Sequence, residues 1–87
     1  MRIVGLLREA RAGHSACSNS DILYIFGGSE NQTLEQFDTK NKSGKILGEY
    51  KKKLSGSSTI YVKDKIYIFG GVSDLELNNL ILIFDLI

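Results

Sequence analysis

Cysteine, histidine and tryptophan are almost missing from this chain of 87 residues: it has one, one and none of them. A single cysteine, Cys17, rules out an internal disulfide, so this small fold must hold together without that staple. The single histidine, His14, stands three residues before Cys17, and no second cluster supplies further ligands at familiar metal spacing. No metal and no cofactor are therefore expected. Neither sign of charge dominates, because eleven Lys and Arg face ten Asp and Glu for a net charge of +1. That balance argues against an obligatory nucleic-acid partner. No apolar run approaches the roughly 18 residues of a membrane span, and the N-terminus shows no signal-peptide pattern. The expectation is a soluble cytoplasmic chain. Neither a G-x-G-x-x-G nor a G-x-x-x-x-G-K-S/T motif is present, which excludes the common nucleotide-binding loops. What remains is ordinary globular composition, 43% hydrophobic and 24% charged. A chain this short buries only about 60–65% of its extended surface.

The sequence repeats itself. Tyr24-Ile25-Phe26-Gly27-Gly28 recurs unchanged as Tyr67-Ile68-Phe69-Gly70-Gly71, forty-three residues later. Asp21-Ile22-Leu23 leads the first copy and Asp64-Lys65-Ile66 the second. Each copy closes in Phe-Asp, at Phe37-Asp38 and Phe84-Asp85. The step from Gly28 to Phe37 is nine residues and that from Gly71 to Phe84 is thirteen, the mark of a four-residue loop insertion. Short β-branched and aromatic runs ending at paired glycines read as strands. Ile22–Phe26 and Ile66–Phe69 are apolar on both faces, which predicts burial on both sides. Weaker strands are expected at 14–18, 34–38, 45–50, 57–62 and 80–84, and one over Ile3–Leu7. Glycine pairs after such strands allow positive φ and close backbone approach.

A period near 45 residues with Gly-Gly after the second strand resembles the kelch repeat, in which each copy forms one propeller blade. The matching residues are Arg11-Ala12-Gly13-His14-Ser15, Ile22 to Gly28 and Phe37-Asp38, then Ile66 to Gly71 and Phe84-Asp85. The resemblance implies an all-β fold of two consecutive four-stranded antiparallel blades, packed face to face as a partial propeller and not a closed ring. It places the first blade at 11–54 and the second at 55–87, the latter without its outer strand. Residues 1–10 become the outer strand of a preceding blade or an N-terminal extension. Arg11, His14, Gly27, Gly28, Gly70 and Gly71 become structural motif positions. Two features depart from the family pattern. The tryptophan that packs between blades is absent, with Ile46 or Tyr50 to stand in. Gly56-Ser57-Ser58 replaces the second Arg-x-Gly-His.

Individual side chains give little chemistry. His14 reads as a structural hydrogen bonder near the inner edge, and Cys17 as a small buried filler. Asp21, Asp38, Asp64 and Asp85 recur at repeat-equivalent places and read as turn caps, since repeats set them too far apart for a shared acid/base pocket. Tyr24 and Tyr67 read as packing aromatics. Eight lysines between Lys40 and Lys65 face only Glu49 and Asp64, a local balance of +6. They read as a solvated edge that discourages strand pairing. Asn31-Gln32-Thr33 and Asn41-Lys42-Ser43 match the glycosylation acceptor pattern by coincidence of loop composition.

Connections are where a partner would be met. The equivalent loops after Gly-Gly nominate Ser29, Glu30 and Asn31 in the first copy and Asp74, Glu76 and Asn78 in the second. The expected function is a non-catalytic protein-binding or scaffold module, a piece of a larger propeller. It would engage a protein partner through these loops, with self-association through exposed blade faces. The competing expectation is a non-catalytic portion of a kelch-like oxidase or sugar-acid epimerase whose active-site residues lie in other blades.

Overall fold

The computed structural model describes all residues, Met1–Ile87. Nine strands form in chain order: β1 (Ser15–Asn19), β2 (Ile22–Phe26), β3 (Thr33–Asp38), β4 (Ser43–Glu49), β5 (Ser58–Val62), β6 (Lys65–Phe69), β7 (Val72–Ser73), β8 (Glu76–Leu77) and β9 (Ile81–Asp85). The first four make an antiparallel sheet in the order β1-β2-β3-β4. A three-stranded sheet β5-β6-β9 follows, with β7 and β8 as a separate two-stranded ribbon. The fold is all-β.

The repeat in the sequence is a repeat in the hydrogen bonds. Gly27 N–H donates to Thr33 O at 3.1 Å, and Gly70 N–H to Leu80 O at 2.9 Å. Thr39 N–H reaches Asp21 O, and Leu86 N–H reaches Asp64 O, both at 2.9 Å. Ser29 N–H bonds Ala12 O at 2.9 Å, and Val72 N–H bonds Ser55 O at 2.8 Å. The same backbone groups are therefore satisfied in the same way in both copies. The four extra residues of the second copy lie in the segment that holds the β7–β8 ribbon. Its two-residue turn, Asp74-Leu75, has positive φ at both positions, 51° and 66°, as does Lys63-Asp64 between β5 and β6. Paired positive φ gives a twist that matches tight antiparallel hairpins.

The core lies between the two sheets. Tyr24 and Phe26 of β2 and Leu34 of β3 meet Ile66 and Ile68 of β6 around Leu54. Tyr24 stacks on Tyr61 of the facing sheet with ring centroids 6.0 Å apart. Of the two residues expected to stand in for the absent tryptophan, Tyr50 packs against the core, whereas Ile46 is exposed.

Two strand expectations are corrected. Residues 1–14 carry no strand, so Ile3–Leu7 lacks the ladder expected of it. An isolated extended segment has no neighbour to accept its backbone hydrogen bonds, and apolar sequence alone does not make a strand. β6 is buried on one side only. Ile66 and Ile68 face the core, while Lys65 and Phe69 are exposed because nothing covers the far face.

Candidate functional site

Each glycine pair bends the chain into the loop that follows it. Gly27 and Gly28 have φ of 71° and 133°, and Gly70 and Gly71 have 65° and 105°. At Gly27 a side chain would also strike the Leu54 carbonyl, and at Gly28 it would sit 2.6 Å from Asn31 Oδ1. Only glycine meets both demands. The two loops consequently leave the sheets at the same end of the molecule. Ser29 of the first loop and Asp74 and Leu75 of the second line one shallow depression with Lys53, Ser55 and Val72.

The nominated residues divide within that end. Ser29, Glu30, Asp74 and Glu76 are exposed. Glu30 pairs with Lys53 at 3.2 Å. Asn78 is half-buried and its amide N–H holds the ribbon base through Gly71 O at 2.9 Å. Asn31 is buried, and its Nδ2 donates to Glu9 Oε1 at 3.0 Å, so it builds the loop's floor. That bond also occupies the nitrogen a glycosylation acceptor would need. Leu75 and Leu77 are 99% and 88% exposed on the ribbon. Two leucines held in water at the tip of a hairpin bury nothing within the chain.

Beneath the first loop is a polar network of which the sequence pointed only to Arg11 and Asn31. The Arg11 side chain is fully buried and pairs with the equally buried Glu35 at 3.4 Å. Arg11 also donates to Gly27 O at 2.8 Å and to Thr33 Oγ1 at 2.6 Å. Glu35 accepts the Arg8 backbone N–H at 2.6 Å. Glu9 accepts from Thr33 Oγ1 at 2.7 Å; that bond, with the Asn31 bond and the charge of Arg11, holds the Glu9 carboxyl below its ordinary pKa. The second repeat replaces the ion pair and its threonine. Leu54 stands at the Arg11 position, Leu80 at Thr33 and Leu82 at Glu35. A concerted change from Arg, Thr and Glu to three leucines is a signal that comparing the two copies position by position reveals.

The remaining sequence candidates are scattered. His14 is exposed and has no side-chain hydrogen-bond partner, which corrects the structural role expected of it. Cys17 is half-buried against the core, and burial pushes its thiol pKa up. Asp38 caps its turn as expected, accepting from Lys40 N–H at 2.9 Å and Asn41 N–H at 3.2 Å. Asp85 instead pairs with Lys65. Tyr67 stacks on Phe69 at 6.4 Å on the open face. The lysine run is not one patch: Lys40, Lys42, Lys63 and Lys65 lie at the turn end, and Lys51 to Lys53 at the opposite end of β4. No three His, Cys, Asp or Glu side chains converge as a metal-binding group. No helix is long and apolar enough to cross a membrane.

No family model matches the chain. One curated relative shares 32% identity over 82 residues: human Kelch domain-containing protein 3. The match takes in 84% of this chain and 22% of that protein. The similarity is to part of a kelch-domain protein. The chain spans about a fifth of that relative's length.

Proposed function

We propose that the chain is a protein-binding module built from two kelch-like blades of a larger propeller, engaging its partner through the loops that follow the glycine pairs. The observation that carries this reading is the β7–β8 ribbon. It sets Leu75 and Leu77 nearly free in water, with Asp74 and Glu76 beside them. Leu75 holds a φ of 66°, a region that β-branched and bulky residues rarely enter. Strain and exposed apolar surface in one hairpin are costs without an internal return, which is the pattern of a recognition element. The partner that fits is a protein surface with an apolar pocket rimmed by basic residues. Similarity to a kelch-domain protein supports the repeat part of the reading. The cytoplasm is the proposed location.

The test is affinity capture with the chain, identification of the bound protein, and titration with that protein purified. Burying a leucine side chain contributes roughly 1.5–3 kcal/mol, so Leu75→Ser is expected to weaken binding about tenfold or more. Unchanged affinity in a Leu75→Ser, Leu77→Ser variant would remove the loops from the account.

A further inference from the structure

The three-stranded sheet is unfinished in two directions. β9 is an edge strand with no neighbour beyond it, whereas its equivalent β3 pairs with β4. The face of the sheet that points away from the core carries Ile60, Tyr67, Phe69, Ile81 and Ile83, with Ile81 and Ile83 63% and 52% exposed. The repeat shows what such a face does when covered. The equivalents of Phe69 and Ile81 are Phe26 and Leu34, which are buried in the core between the sheets.

The N-terminal segment supplies the matching piece. Arg2-Ile3-Val4-Gly5 corresponds, forty-three residues earlier, to Lys45-Ile46-Leu47-Gly48 of β4. The correspondence extends to position. Gly5 lies against the ring of Phe37, with a Cβ there only 3.2 Å from Phe37 Cζ. Gly48 lies in the same way against Phe84, the repeat equivalent of Phe37. Gly5 and the residues beside it therefore sit on the first sheet as the end of β4 sits on the second. They have the placement of a fourth strand with no sheet to belong to. Ile3 and Leu6 remain 88% and 85% exposed. Within one chain the first sheet stands between this segment and β9.

We propose that a second copy of the chain completes the sheet: residues Arg2–Leu7 of that copy add along the free edge of β9, and its first sheet stacks on the open apolar face. The occupant is a second copy because the contact continues the interface already present between the two sheets. The register follows from the pairing of β3 with β4, in which Gln36 opposes Lys45, Glu35 opposes Ile46 and Leu34 opposes Gly48. Arg2 is then opposite Ile83, Ile3 opposite Leu82 and Gly5 opposite Ile81. The two surfaces differ, so the contact is head-to-tail and propagates from copy to copy, closing into a ring where the rotation between copies allows it. This inference takes the larger propeller of the proposed function to be an assembly of copies of this chain, and it is independent of what the loops bind.

Sedimentation velocity over a wide concentration range, with circular dichroism on each sample, reads the first consequence. The chain is expected to advance from 9.7 kDa through multiples of that mass. Ile83→Lys, at an exposed position, is expected to keep the β spectrum and shift the assembly to monomer. The register is read by mixing two single-thiol chains in a Cys17→Ser background, one with Arg2→Cys and the other with Ile83→Cys. Thiols held opposite each other have an effective concentration on the order of millimolar, so the mixed disulfide is expected to form at least about tenfold faster than either homodimer. A monomer at every concentration overturns the proposal. So does assembly unaffected by Ile83→Lys, or a mixed disulfide that forms no faster than the homodimers.

Discussion

Arg11 and Leu54 occupy one repeat position with opposite chemistry, and each is right only in its own surroundings. Arg11 is buried because Glu35, Thr33 and the Gly27 carbonyl engage its two terminal nitrogens, while Nε stays buried without a partner. Leu54 is buried because its neighbours are apolar. Removing one member of a buried ion pair leaves the other charge stranded, at a cost of about 3–5 kcal/mol. Arg11→Ala is expected to lose that much in urea unfolding. Replacing both partners with apolar residues avoids the stranded charge. Arg11→Leu with Thr33→Leu and Glu35→Leu, which copies the three leucines of the second repeat, is expected to recover most of the loss; a triple variant as unstable as the single one contradicts the assignment. Glu9 gives a pH signature. Its carboxyl is held below the ordinary value of 4.5, so its stabilising contribution is present above that value. The contribution is lost as pH falls through the lower folded value. An acid titration of Glu9→Gln is expected to show a shallower loss of stability below pH 4.5 than the unaltered chain.

Turns and strands are the scale at which the sequence was most legible. The words Tyr-Ile-Phe-Gly-Gly and Phe-Asp marked β2, β6, β3 and β9 to within a residue, because a short apolar strand followed by a φ-permissive glycine has few other conformations. Ile3–Leu7 carried the same kind of signal without forming a strand, since pairing depends on a partner that local sequence does not encode. The ribbon β7–β8 was visible only as a length difference. At the loop end, the place of Asn31 in the loop points to a surface role, but its side chain is buried and bonds Glu9, distant in sequence. Asp38 and Asp85 make the same point quantitatively. Asp38 accepts two backbone N–H bonds and one from Asn41 Nδ2 within its own turn, whereas Asp85 makes an exposed ion pair with Lys65. Each lost turn bond costs about 1 kcal/mol, whereas an exposed ion pair contributes little in water. Thermal unfolding is expected to show Asp38→Ala clearly destabilised and Asp85→Ala close to the unaltered chain. Equal effects would contradict the difference in role.

Over the whole molecule, two copies of one sheet unit are docked asymmetrically, and that asymmetry sets the surface properties. Fifteen of 87 residues are buried, a core thin enough that the contact between the sheets decides whether either is stable. Two backbone bonds tie the copies together: Gly28 N–H to Leu54 O at 2.7 Å and Gly56 N–H to Gly13 O at 2.8 Å. They join the start of the second repeat to the start and the glycine pair of the first, and they open only if the sheets part. Amide hydrogen exchange at Gly28 and Gly56, followed by NMR beside the in-sheet amides of β2 and β6, tests the docked arrangement most directly. Both amides are expected to exchange as slowly as those in-sheet amides, all opening in one cooperative event. Rapid exchange at Gly28 and Gly56 while the β2 amides stay protected would mean that the sheets fold apart, and the paired-repeat architecture would be wrong.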